Sequence, residues 1–192
     1  IQVGDKTQYI GFISGTDSTS RTYLDLISHW IRAALRERNT DAERETFIKN
    51  ILLENELPGD IPLKSREFKI SYATRRIVFL IRVLQSDGPS CVETLHNLFP
   101  DSKTHYVLAM DEETIVLLSD LGEDFDASVE ETSKIILDTL NTESMSRIYI
   151  GIGMPADTMK DTAKSYREAT MALRVGSIFE NDQYVMRYDK LG

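Results

Sequence analysis

Two apolar runs, Thr104–Met110 and Thr114–Leu118, are separated only by Asp111-Glu112-Glu113. So short a link joins antiparallel neighbours, so the runs form a β-hairpin with an acidic tip. A hairpin in mid-chain constrains the sheet that can grow around it. Before it, Arg76–Gln85 (RIVFLIRVLQ) is dense in β-branched and aromatic residues and reads as a buried strand. Ser86-Asp87-Gly88-Pro89 is a turn, and Ser90–Phe99 a helix facing inward through Val92, Leu95 and Leu98/Phe99. After the hairpin come an acidic loop, Asp120–Asp126, and a helix through Leu140. Ser128-x-x-Glu131 resembles a capping box for that helix, and Val129, Ile136 and Leu140 form its inner stripe. Arg147–Gly153 is another strand. Pro155-Ala156-Asp157 turns into a helix from about Thr158 to Val175, with Met159, Ala163, Tyr166, Ala169/Thr170 and Leu173 on one face. Gln183–Tyr188 closes as a strand. The order β-α-β-β-α-β-α-β predicts an α+β fold: a mainly antiparallel sheet with helices packed on it.

The N-terminal third is organised differently. Tyr9–Ser14 is a short apolar strand, and Gly15-Thr16-Asp17-Ser18 a turn. Leu24, Ile27, Ile31 and Ala34/Leu35 then recur at helical spacing, with Trp30 beside the stripe. The pattern fades through Arg36–Arg44 and returns at Phe47, Ile48, Ile51 and Leu52, giving one long bent helix or two helices with a polar joint. Pro58-Gly59-Asp60 ends it, and Pro62–Lys69 forms a short helix. A broken apolar stripe on a long helix motivates a homodimer through Leu24, Ile27, Trp30, Ile31, Phe47 and Ile51, with Trp30 and Phe47 as anchors. Packing of the same residues on their own domain is the equal alternative. The expected divisions are residues 1–18, 19–66 (a helical linker) and 67–192 (the α+β domain).

Composition narrows the function classes. Of 192 residues, 41% are apolar and 28% charged, which suits a soluble globular protein. No apolar run approaches the ~18 residues of a membrane span, and Tyr9–Ile13 is too short for a signal peptide. One cysteine, Cys91, excludes an internal disulfide and fits a cytoplasmic location. The net charge of −9 repels phosphate backbones, so these residues alone are a poor nucleic-acid binder. Arg75-Arg76, the densest basic spot, reads as a solvated strand end. Residue 1 is Ile, which predicts a piece of a longer chain.

The last third carries a family signal. Ile150-Gly151-Ile152-Gly153 on a strand precedes Ser165-Tyr166-Arg167-Glu168-Ala169 and Ala172-Leu173 on a helix, with Tyr188 and Leu191-Gly192 closing the pattern. This resembles the GGDEF-like domain of the carbohydrate-diacid regulator (CdaR) and purine-catabolism regulator (PucR) families of bacterial transcription regulators, over about Phe68–Gly192. The resemblance implies that Ile1–Ser18 is the end of an upstream domain sensing a small-molecule effector. It also implies a helix-turn-helix beyond Gly192 through which the full-length protein meets DNA. Arg21–Leu57 would then be the long helix linking sensor to domain.

The same fold is similar to that of diguanylate cyclases, which supplies a chemical test. Joining two nucleoside triphosphates needs divalent metal on carboxylates, to neutralise phosphates and activate the attacking hydroxyl. In cyclases those acids come from the first strand and from a Gly-Gly-Asp/Glu-Glu-Phe hairpin turn. Here Ile81-Arg82-Val83-Leu84-Gln85 offers no acid, and Met110-Asp111-Glu112-Glu113-Thr114 lacks the glycines that admit a nucleotide to the backbone. A regulatory, non-catalytic module without metal or cofactor is therefore expected. The alternative is a nucleotide-binding sensor using Asp87, Asp111 and Glu112, or an active cyclase. The remaining features are weaker. His29, His96 and His105 lack ligand spacing. Cys91 at a helix start reads as a small core residue. The Asp120–Asp126 acids lack the spacing of a calcium loop. Gly151-x-Gly153 allows either phosphate at a helix start or close strand–helix packing.

Overall fold

The computed structural model describes residues 2–3, 6–7, 14–15, 17–86, 88, 90–179 and 184–191. The chain divides into two compact units, Ile1–Thr46 and Phe47–Gly192. The first holds a two-stranded antiparallel sheet, β1 (Gln2–Val3) with β2 (Lys6–Thr7), and most of α1 (Ser18–Leu52), which runs on across the boundary. Asp17 starts α1 by accepting the Ser20 N–H at 2.7 Å. The expected strand at Tyr9–Ser14 lies outside the described residues except for Ser14. The polar stretch Arg36–Arg44 does not break α1, which is one helix of 35 residues.

α1 stops earlier than Pro58-Gly59-Asp60. Glu54 turns left-handed (φ 58°), and the Asn55 N–H returns to the Asn50 carbonyl at 2.8 Å. The second unit continues with α2 (Ile61–Glu67), β3 (Arg76–Ser86), α3 (Cys91–Leu98), β4 (His105–Ala109), β5 (Thr114–Asp120), α4 (Phe125–Glu143), β6 (Ser146–Ile152), α5 (Thr162–Phe179) and β7 (Val185–Arg187), then a 3₁₀ turn at Tyr188–Lys190. Strand order is β4-β5-β3-β6-β7, antiparallel throughout except for the parallel β6–β7 pair. The expected α+β architecture, a mainly antiparallel sheet with packed helices, is what forms.

Alternation along β3 divides the core into two layers. Val78 and Leu80 face the end of α1 (Phe47, Ile48), α2 and α5. Ile77, Phe79 and Ile81 face α3 and α4, meeting Leu95, Ile136 and Leu140. Helix α4 begins at Phe125, not at a Ser128 capping box. Asp124 is its cap, accepting the Ala127 N–H at 3.1 Å, while Ser128 Oγ donates back to the Asp124 carbonyl. Helix α5 starts at Thr162, later than Thr158, yet buries Ala163, Ala169 and Leu173 as expected. Among the described residues no helix is long and apolar enough to cross a membrane.

Arg75-Arg76 is not a solvated pair. Arg75 is exposed, but the Arg76 side chain is fully buried. Its Nη1 donates to the Ser71 carbonyl at 2.8 Å, and its Nε lies 2.8 Å from Asp120 Oδ1. That Nε–Oδ1 contact is an ion pair without hydrogen-bond alignment, and Nη2 has no hydrogen-bond partner among the described residues. Asp120 therefore belongs to β5 and to this pair, not to a solvated acidic loop. Burial raises its carboxyl above the ordinary range despite the attraction of Arg76.

Candidate functional site

The hairpin tip between β4 and β5 uses its first acid on itself. Asp111 Oδ1 accepts the Glu113 N–H at 2.9 Å and the Thr114 N–H at 2.7 Å, an Asx turn that closes the loop. These bonds, led by the Glu113 N–H, hold the Asp111 carboxyl below its ordinary range, with a smaller contribution from Arg82. The Glu113 carbonyl accepts the Val83 N–H at 2.7 Å, tying the tip to β3. Glu112 is exposed beside it. Asp87 lies outside the described residues.

Next to the tip, register brings three strands into one row. Arg82 on β3 stands opposite Thr114 on β5 and opposite Tyr149 on β6. Tyr149 stacks on Tyr184, with ring centres 5.8 Å apart and planes 20° from parallel. Arg82 and Tyr184 are exposed, and Tyr149 is half-buried. Tyr166 of α5 is half-buried, and burial, then the Asp111 charge, raises its phenol above the ordinary value. A cation, two stacked rings and a carboxylate thus lie along one end of the sheet. Of this set, Arg82 and the stacked rings offer charge and a flat face to a planar group, while the ionised Asp111 repels an anion. Sequence reading missed Arg82, Tyr149 and Tyr184, because only strand register sets Arg82 beside Tyr149, and only the approach of the chain before β7 to β6 brings Tyr184 onto it.

Behind this row, the strand–helix motif is a packing device. A Cβ on Gly153 would lie 2.1 Å from the Ser165 carbonyl oxygen, and one on Gly151 2.3 Å from that of Ala169. The glycines let α5 lie directly on β6. Ser165 Oγ accepts the Val78 N–H at 3.2 Å, and Glu168 Oε2 accepts the Met154 N–H at 3.0 Å, so two motif side chains satisfy backbone donors of the sheet and its loop. Of the two readings left open for Gly151-x-Gly153, close packing accounts for both glycines.

The other singled-out residues scatter. His29 and His96 are exposed, and His105 is half-buried, stacked on Phe99 with centres 5.1 Å apart. Cys91 is buried, its Sγ 3.1 Å from Ser146 Oγ. Among the described residues, no group of three or more His, Cys, Asp or Glu could hold a metal ion. The six residues expected to pair two copies divide sharply. Phe47 and Ile51 are 4% and 2% exposed within the domain core, so the expectation that they form an interface gives way to packing on their own domain. Ile27 and Trp30 remain 50% and 76% exposed, while Leu24 and Ile31 are half-buried. A cavity of about 780 Å³ opens elsewhere, between α4 and β7, lined by Val129, Ser133, Lys134, Leu137, Met186 and Lys190. None of the predicted site residues lines it.

Residues 54–175 match the model of the GGDEF-like domain, a span covering more than half the chain. The chain belongs to the GGDEF-like domain family. The matched span begins just after α1 and ends within α5, so it contains the hairpin tip, the Arg82–Tyr149 row and the Gly151/Gly153–Ser165 packing. The hairpin tip inside the matched span reads Met110-Asp111-Glu112-Glu113-Thr114. No curated protein matches the chain.

Proposed function

We propose that this GGDEF-like domain is a non-catalytic relay in a bacterial transcription regulator of the carbohydrate-diacid or purine-catabolism regulator kind. In this reading it couples an upstream effector-sensing domain, through α1, to a downstream DNA-binding domain, and it works as a homodimer in the cytoplasm. The observation that carries it is the hairpin tip. Asp111 caps its own turn, and the neighbouring strand presents Arg82 where a metal-dependent transfer would need another acid. A guanidinium beside the tip disfavours a divalent cation there. The relay itself is a change in how α1 pairs.

Two measurements test this. Incubation with GTP and magnesium yields no cyclic dinucleotide, and in the full-length regulator Asp111→Ala leaves the effector response of a reporter unchanged. Product from GTP that disappears in Asp111→Ala or Glu112→Ala would replace the relay with an active cyclase. A second reading, a nucleotide-binding sensor without turnover, is favoured by the row of Arg82, Tyr149 and Tyr184 beside Asp111. Calorimetry against GTP, ATP and cyclic dinucleotides, with and without magnesium, decides it. Heat that is lost in Arg82→Ala supports the sensor, and flat titrations remove it.

A further inference from the structure

Helices α4 and α5 lie on opposite faces of the sheet, and β7 is an outer strand between them. Val185 packs towards the α4 layer and Met186 towards the α5 layer. The cavity of about 780 Å³ is lined by Val129 and Leu137 of α4, by Val175 and Gly176 of α5, and by β7. A space bounded by both helices and by the strand between them runs along the open edge of that strand. Its volume lies within the ~300–1,000 Å³ of small-ligand sites.

The strand edge presents backbone groups to this space. β7 runs parallel to β6, and the Tyr184 carbonyl accepts the Ile150 N–H at 2.7 Å. By alternation Met186 also turns its backbone groups to β6. Val185 then turns its N–H and carbonyl, and Arg187 its N–H, away from the sheet, and no described residue bonds to them. Donor and acceptor alternating at strand spacing are what an extended peptide backbone pairs with. A phosphate leaves the carbonyl unpaired, and a hydrocarbon leaves all of these groups unpaired. Val129 and Leu137 on one side, and Val175 on the other, give apolar walls to side chains that alternate across an added strand.

Charge at the rim narrows the occupant. Glu130, Lys134 and Asp138 line the cavity from successive turns of α4, about 6 Å apart along the helix. Lys190 joins them from the turn after β7. All four are exposed, and none forms an ion pair among the described residues, whereas Arg187 is taken up by Asp126 and Asp189. Both signs within a few ångströms match a molecule that carries a free ammonium and a free carboxylate. A segment inside a longer chain carries neither. We propose that this groove binds a short free peptide of about three residues, ~10 Å long, as a further strand on the edge of β7. Its carboxylate meets Lys134 and Lys190, and its ammonium meets Glu130 or Asp138. Such binding is independent of the relay and of any pairing between copies.

The test is calorimetry of the whole chain against trialanine, trivaline and trileucine with free termini. Saturable binding is expected, tighter for trivaline and trileucine than for trialanine. Capping the peptides by acetylation and amidation, or combining Lys134→Glu with Lys190→Glu, is expected to weaken it by about tenfold or more. Val185→Pro removes an outward N–H at an edge position, where proline is tolerated, and is expected to abolish binding. Peptides with every amide N-methylated read the same bonds on the parent chain, should that variant fail to fold, and are expected not to bind. Flat titrations with all three free peptides overturn the inference. Capped peptides that bind as tightly as free ones overturn the assignment to a free peptide and point to a segment of a protein chain. N-methylated peptides that still bind overturn the strand pairing.

Discussion

At position 153 a side chain has no room. A methyl group there would lie 2.1 Å from a backbone carbonyl of α5, and backbone cannot swing aside as a flexible side chain can. Gly153→Ala is therefore expected to destabilise the domain by about 1–3 kcal/mol through forced displacement of α5. Gly59, with nothing within 4 Å of an added Cβ, is the control: Gly59→Ala stays within about 1 kcal/mol of the parent. Denaturant unfolding compares them, and equal midpoints would remove the packing role assigned to Gly153. The motif around these glycines was legible in the sequence as a pattern, but the work of its residues was not. Ser165 meets the Val78 amide, and Arg76 meets Asp120, across sequence separations that no local spacing encodes. Two adjacent arginines at a strand start look alike in the sequence. Arg75 precedes β3 and stays exposed, whereas Arg76 opens the strand and is buried beside Asp120.

At the scale of elements, the ends of β3, β4 and β5 gather Arg76, His105 and Asp120, with Asp101 nearby in the turn before β4. Burial beside Phe99 holds the His105 imidazole below its ordinary value, outweighing the opposing pull of Asp120 and Asp101. The folded chain thus binds a proton at His105 less readily than the unfolded chain. The stabilisation from the neutral ring is fully present above the unfolded value of about 6.5 and is lost as pH falls below it. Asp120 has the opposite sign. Its raised value means that its contribution is present below about 3.9 and is lost as pH rises above that. Unfolding midpoints at pH 5.5, 6.5 and 7.5 are therefore expected to rise with pH, and His105→Phe, which keeps a ring on Phe99, flattens the rise. An unchanged slope in that variant would show that the dependence arises elsewhere. The sequence placed His105 in a strand, but burial, Asp120 of β5 and Asp101 of the preceding turn set its proton affinity. The start of α4 gives a simpler case. Ser128-x-x-Glu131 fits the capping pattern, yet Asp124 caps the helix because the chain leaves β5 in a geometry that brings the Asp124 carboxylate to the Ala127 amide.

For the whole molecule, the deciding contrast lies within one helix. Residues 24–35 and 47–52 carry the same kind of apolar periodicity, and only the second set is buried. Phe47→Ala is accordingly expected to cost about 3–5 kcal/mol of domain stability. Trp30→Ala should leave the unfolding of residues 47–192 within about 0.5 kcal/mol of the parent at concentrations where the chain is monomeric. Equal losses would mean that Trp30 also belongs to a folded core. The sequence by itself determined the number, type and order of the elements from Arg76 onward, because alternation, helical spacing and a three-residue link are local and repeat along the chain. It also determined the family, through the strand–helix motif. The tertiary structure alone decided which apolar faces are covered, which arginine is buried, and that Arg82, Tyr149 and Tyr184 share a row. The physical reason is that periodicity defines a face but not its neighbour, and a neighbour is supplied only when strands pair in register and helices close over them.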